Sequence, residues 1–126
     1  MTTRRRTPED ALQRSIVDLL RKVPVRALWF HVPNGGHRNK RTAARLKSLG
    51  VRRGVPDLVF VGFDGVARFM ELKAAKGSLK GEQKAWRDAC ATMNVSFVVV
   101  KTLDEAVAHL QRWDFIDVAL DGVKAA

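Results

Sequence analysis

Two carboxylates and a lysine stand where few sequences would place them without a use. Asp57 follows Pro56 at the head of an apolar run, and the next apolar run ends in Met70-Glu71-Leu72-Lys73. Residues two apart on a strand share a face, so Glu71 and Lys73 point one way while Met70 and Leu72 point the other. Charged groups at the ends of buried strands cost free energy unless they are paired or employed. Oxygen donors of this kind hold a hard divalent cation such as Mg2+. A cation so held polarises a phosphate ester and acidifies the attacking water. The lysine positions that water or neutralises developing charge. Together the three residues point to phosphodiester hydrolysis. A Glu-x-Lys triplet alone usually means an exposed ion pair on an edge strand. Here it follows Gly54-Val55-Pro56-Asp57 and an Asp64-Gly65 turn, and the pattern favours chemistry.

The turn decides which face each carboxylate takes. A two-residue loop, Asp64-Gly65, would close Phe63 on Val66. It would pair Asp57 with Leu72 and send Asp57 and Glu71 to opposite faces, because a one-residue slip flips every side chain. A three-residue loop, Phe63-Asp64-Gly65 with Gly65 left-handed, closes Gly62 on Val66 instead. Asp57 then stands across from Glu71, and Val59 across from Phe69. Two carboxylates about 5 Å apart repel by roughly 3 kcal/mol at an effective dielectric near 20. A sheet avoids that pairing unless a cation belongs between them, so the chemistry selects the three-residue loop.

The elements that must position these residues follow from periodicity and punctuation. Thr7-Pro8-Glu9-Asp10 reads as a capped helix start, and Leu12, Ile16, Leu19, Leu20 and Val23 keep helical period until Pro24. Glu9 shares the phase of Ile16 and Leu20, so its carboxylate heads the core-facing stripe; complementing the helix dipole is its competing role. Val25–Val32 is a strand closed by Pro33-Asn34-Gly35-Gly36. Residues 38–49 form a helix with Ala43, Leu46 and Leu49 inward, ended by Gly50. Asp57–Gly62 and Val66–Lys73 make the hairpin. A loop from Ala74 to Ser78 leads to a helix through Met93. Gln83 shares a stripe there with Leu79 and Trp86, where a buried amide needs partners. Lys73 or an active-site water supplies them on one reading, a backbone group on the other. Val95–Val100 is a buried strand, and Leu103–Leu110 a last helix. The result is an α/β fold, a mixed sheet flanked by helices. With no repeat or linker, residues 1–126 form a single domain, with a basic arm over 1–7 and a weakly patterned tail over 114–126.

The chain has 126 residues and a net charge of +10. Residues 1–56 carry 14 Lys and Arg against 3 Asp and Glu, whereas residues 57–126 carry 9 against 10. Such asymmetry suggests a polyanionic partner, here DNA. Lys40, Arg41, Arg45, Arg52 and Arg53 are the expected contacts. Asn34 and Arg38, beside the glycines, either touch a phosphate or belong to a plain turn. No apolar run approaches the roughly 20 residues that span a bilayer, and no secretory leader is evident. The single cysteine, Cys90, allows no internal disulfide, so a cytoplasmic location is expected. Absence of tyrosine argues against GIY-YIG nucleases. Three histidines (His31, His37, His109) and one cysteine do not make the zinc-bearing site of HNH nucleases. His31, on a strand, reads as a packed core residue.

The run from His-Val-Pro-Asn-Gly-Gly-His-Arg-Asn-Lys (residues 31–40), through Leu-Lys-Ser-Leu-Gly-Val-Arg-Arg-Gly-Val-Pro-Asp-Leu (46–58), to Met-Glu-Leu-Lys (70–73) resembles stand-alone VRR-NUC proteins, the virus-type replication-repair nucleases. Lys-Gly-Ser-Leu-Lys-Gly-Glu-Gln-Lys-Ala-Trp (76–86) extends the likeness, which covers about residues 9 to 110. The resemblance implies a restriction-endonuclease-like, PD-(D/E)XK fold. It also implies dependence on Mg2+ or Mn2+ and cleavage of branched DNA, such as Holliday junctions, by a homodimer. Residue by residue, it assigns the first-helix acid to Glu9, with Gln13 four residues on. The motif acids are Asp57 and Glu71, the lysine Lys73, and the helix glutamine Gln83. The Leu72 carbonyl becomes a further metal ligand. An apolar cluster at Trp113, Phe115 and Ile116 lends support to a dimer. Two other readings share the charge pattern: a catalytically idle or restriction-associated DNA-binding module of the same fold, and an RNA-processing nuclease.

Overall fold

A computed structural model describes residues 7–33 and 39–117. In chain order the elements are α1 (Pro8–Lys22), β1 (Ala27–His31), α2 (Lys40–Ser48), β2 (Leu58–Gly62), β3 (Ala67–Leu72), α3 (Gly81–Thr92), β4 (Ser96–Val100) and α4 (Leu103–Arg112). The sheet order is β1-β2-β3-β4. Its first two pairings are antiparallel and β3–β4 is parallel, with α3 as the crossover.

Helix α1 begins as its cap residues dictate. The Asp10 N–H donates to Thr7 Oγ1 at 3.0 Å, and the Thr7 N–H donates back to Asp10 Oδ2 at 3.3 Å. Ile16, Leu19 and Leu20 of α1 are buried with Ala106, Val107 and Leu110 of α4 against Leu58, Phe60, Met70, Leu72 and Val100 of the sheet. Phe69 points to the opposite face, where its ring meets Trp86 of α3 edge-on at 5.6 Å. Helices therefore cover both faces. One face is a dry core, and the other carries the residues whose parity matches Glu71.

The hairpin closes through the three-residue loop. Gly65 adopts φ +76°, its N–H donates to the Gly62 carbonyl at 3.0 Å, and Gly62 N–H donates to the Val66 carbonyl at 3.3 Å. Asp64 Oδ1 accepts the Val66 N–H at 3.0 Å, which tightens the turn. Val59 accordingly pairs with Phe69, and Leu58 with Met70. The ladder ends at that pair; Asp57 lies one residue beyond it, and its carboxyl meets that of Glu71 through a side-chain hydrogen bond.

Three expectations need correction. Helix α2 is shorter than 38–49: Asn39 caps it by accepting the Thr42 N–H at 2.7 Å. None of its residues is buried, and Leu49, expected inward, is 68% exposed. Its apolar side is only partly covered, with Ala43 and Leu46 half-buried. The loop after β3 runs to Lys80 rather than Ser78, since α3 starts at Gly81. The apolar cluster read as support for a dimer is part of the chain's own fold, and the weakly patterned tail belongs to the domain as far as Asp117. Phe115 and Ile116 are buried in the chain's own core, with Phe115 and Trp113 each 6.0 Å from the Phe60 ring. Arg26 clamps this segment: its N–H donates to the Phe115 carbonyl at 2.8 Å, and its guanidinium reaches Asp114 and Asp117 at 2.8 Å. Residues 118–126 lie outside the described part.

Truncating Phe115 tests whether this segment belongs to the domain core. Phe115→Ala is expected to cost about 3–5 kcal/mol of unfolding free energy in urea melts. A loss below about 1 kcal/mol would mean that the segment is an appendage.

Candidate active site

Asp57, Glu71 and Lys73 come together at one end of the β2–β3 hairpin. Glu71 is only 2% exposed and Lys73 6%, the two buried charged residues among those described. Their backbone is fixed by β4, since the Lys73 N–H donates to the Val100 carbonyl at 3.0 Å. Asp57 is fixed across the ladder: its Oδ2 accepts the Leu72 N–H at 2.8 Å. Its carbonyl accepts the Val32 N–H at 2.9 Å, tying it to the end of β1.

The electrostatics of this arrangement are those of a crowded pair. The Glu71 carboxyl is pushed up to about 9, first by burial, then by a hydrogen bond and like charge from Asp57. Lys73 pulls it back in part, and Glu9 raises it further. In the metal-free protein at neutral pH, Glu71 therefore keeps a proton beside the Asp57 carboxyl. Glu71 Oε2 is buried without any hydrogen-bond partner. Buried carboxyl oxygens rarely go unpaired. A divalent cation would satisfy that oxygen and displace the shared proton, so the residues fit such an ion. Among the described residues no three His, Cys, Asp or Glu side chains gather closely enough to hold a metal. Two carboxylates suffice for Mg2+, which keeps several waters and takes its remaining ligands from substrate phosphates.

The other sequence candidates divide. Glu9 lies exposed in the first turn of α1, near enough to bear on Glu71 by charge but outside the carboxylate pair. Gln83 spends its Oε1 on the Lys80 N–H at 2.8 Å, a helix cap, so the backbone is the partner that structure supplies. Arg41, Arg45, Lys40 and Arg53 are exposed. Arg52 lies over the Trp86 ring, 5.0 Å from its centroid. Asn34, Arg38 and His37 fall outside the described residues. His31 is no core residue: it is exposed, and its Nδ1 lies 2.8 Å from the Asp57 carbonyl oxygen.

Gly54 explains why the Gly-Val-Pro-Asp run precedes the site. It has φ +82°, and a Cβ there would sit 2.5 Å from backbone atoms of Glu82. Only glycine lets the loop before Asp57 seat on the first turn of α3. A cavity of about 160 Å3 at the opposite end of β2, lined by Arg26, Asp64, Trp113 and Phe115 among others, is remote from the carboxylates.

The sequence matches the VRR-NUC domain family over residues 7–104. A solved structure described as a VRR_NUC domain protein superposes with a TM-score of 0.69 at 20% identity, covering 90% of this chain and 94% of that one. Comparison with curated proteins finds no match. The chain belongs to the VRR-NUC domain family and has its restriction-endonuclease-like fold. It is thus a nuclease of the PD-(D/E)XK type, a class that generally uses divalent metal ions, and a nuclease domain implies DNA binding. Among the described residues no helix is long and apolar enough to cross a membrane.

The raised Glu71 carboxyl predicts how metal-free stability depends on pH. Its pKa in the folded state, about 9, lies above the ordinary 4.5, so the folded protein binds the extra proton. That contribution is fully present below pH 4.5 and is lost as pH rises towards 9, by up to about 1.4 kcal/mol per pH unit. Glu71→Gln should flatten this decline in denaturant melts with chelator at pH 5 to 9. A variant as pH-sensitive as the parent would contradict the assignment.

Proposed function

We propose that this protein is a metal-dependent, structure-specific endonuclease that cuts phosphodiester bonds in branched DNA such as Holliday junctions. The observation that carries the reading is the Asp57–Glu71 pair, two carboxyls crowded together at the end of the β2–β3 ladder with one buried Glu71 oxygen unpartnered. Asp57 and Glu71 would hold Mg2+ or Mn2+, joined by the Leu72 carbonyl and approached by Glu9. The ion, when bound, supplies polarisation of the phosphate and a more acidic water. Lys73, buried beside Glu71, supplies a fixed positive charge to the phosphate oxygens and orients the water by donating hydrogen bonds. Gln83 acts by capping α3 at the edge of the site.

The substrate side rests on charge. Lys40, Arg41, Arg45 and Arg53 present exposed cations on α2 and the loop that leads to Asp57, and Arg52 stands with them on Trp86. Contacts of this type position a phosphate backbone without reading bases. A branched substrate offers two equivalent strands, which suits a two-fold homodimer. The Trp113–Ile116 cluster is spent inside the chain, so the dimer surface must lie elsewhere. Edge strand β1, with Leu28 76% and Phe30 53% exposed, is the apolar alternative. A cytoplasmic setting suits a lone buried thiol at Cys90.

The test is cleavage of four-way, flap, duplex and single-stranded DNA, with RNA in parallel, under Mg2+ and Mn2+, on protein whose mass has been read by light scattering. A dimer should cut branched DNA best. Asp57→Asn, Glu71→Gln and Lys73→Ala should each lose roughly 100-fold or more in turnover while remaining folded. Undiminished turnover in Glu71→Gln would sink the mechanism. Preference for RNA would point to RNA processing, and DNA binding without cleavage to an idle module.

A further inference from the structure

His31 ends β1 and is the one imidazole that touches the carboxylate pair's backbone among the described residues. Its Nδ1 approaches the Asp57 carbonyl oxygen at 2.8 Å. A carbonyl only accepts, so Nδ1 carries the proton and donates it. The same oxygen takes the Val32 N–H at 2.9 Å. Asp57 itself lies one residue outside β2, beyond the last ladder pair, His31–Leu58. A residue just past a strand end is free to fray. Here its main chain is held by two donors at the end of β1, the His31 ring and the N–H of the following Val32, and its carboxylate by the Leu72 N–H from β3. A cation site must hold its ligands to within about 0.5 Å of productive geometry. The Val32 N–H alone secures the carbonyl in one direction; the imidazole adds a second.

We propose that His31 is a positioning residue of the site: its Nδ1–H bond to the Asp57 carbonyl keeps the Asp57 carboxylate in register with Glu71 and so sets the affinity of the pair for a divalent cation. The inference rests on the metal-nuclease reading above and names a further residue that the reading depends on. Supports one shell out from metal ligands typically change affinity by 10–100-fold when lost.

The chain of residues 1–126 without DNA is titrated with Mn2+ by calorimetry, with thermal melts alongside. His31→Phe keeps the ring but removes the donor, and His31→Asn returns a side-chain N–H near the Nδ1 position. His31→Phe should weaken Mn2+ binding about tenfold or more without lowering the melting temperature of the metal-free protein. His31→Asn should stay within about threefold of the parent. In cleavage assays, His31→Phe should raise the Mn2+ concentration for half-maximal rate and recover its kcat at saturating Mn2+. Parental Mn2+ affinity in His31→Phe, or His31→Asn as weak as His31→Phe, overturns the proposal. Nitrogen NMR of the unmodified, metal-free protein gives a reading that no folding defect can confuse: the ring must be protonated at Nδ1, and an Nε2–H tautomer overturns the proposal as well. If the parent itself fails to bind Mn2+, the metal reading falls and takes this inference with it. If the parent binds and His31→Phe binds equally, only the role of His31 falls.

Discussion

The constraint on which the structure turns is the placing of two carboxyls against each other where the β2–β3 ladder ends, with Glu71 buried and Asp57 half-buried. Like charges at that separation repel, and burial removes the water that would screen them. Without a cation the pair finds relief by keeping a proton on Glu71. That relief is incomplete, because one Glu71 oxygen still lacks a partner. An arrangement so costly persists only when the surrounding chain over-determines it. The hairpin does so locally: the left-handed Gly65 and the Asp64 side chain set a loop that allows only this register. The Leu72 N–H donated to the Asp57 carboxylate and the Lys73 N–H donated to the Val100 carbonyl then tie Asp57 and β4 to the two flanks of β3.

The body of the domain serves the same end from both sides. The core between α1, α4 and the sheet keeps Leu58, Met70 and Leu72 buried, so their neighbours Asp57, Glu71 and Lys73 are carried on a rigid frame. On the other face α3 holds the loop before Asp57 through the Gly54–Glu82 contact and the Arg52–Trp86 stack. At the far end, Arg26 draws residues 114–117 across the bottom of the core, and Arg68 lies over the Phe115 ring at 5.0 Å. This last feature lies beyond residue 104, where the family match ends. It belongs to how this chain closes its core.

What could be read in the sequence was what short-range chemistry dictates. The α1 start, the succession of helices and strands along the chain and the three-residue loop all follow from neighbouring residues: a capping box, periodicity, and a turn whose register is coupled to charge. Pairings across long connections left no such trace. The segment between β1 and β2 contains α2, so their register is unconstrained by any tight turn, and His31 gave no sign that it would meet Asp57. Burial of Phe115 and Ile116 was likewise hidden, because their partners Phe60 and Arg26 are remote in sequence and a short apolar cluster looks the same on a surface as in a core. For Gln83, periodicity placed it on the right stripe but could not tell a cap from a catalytic contact. Leu49, inward by helical phase, is exposed because α2 ends at Ser48 and Leu49 serves only as its cap.

The central claim, that a cation belongs between Asp57 and Glu71, is most directly tested by anomalous diffraction from crystals of the unmodified protein grown with Mn2+. The account predicts an anomalous peak bonded to Glu71 Oε2 and an Asp57 carboxylate oxygen at about 2.0–2.2 Å. A peak elsewhere on the molecule, with Glu71 Oε2 still unpartnered, would contradict it.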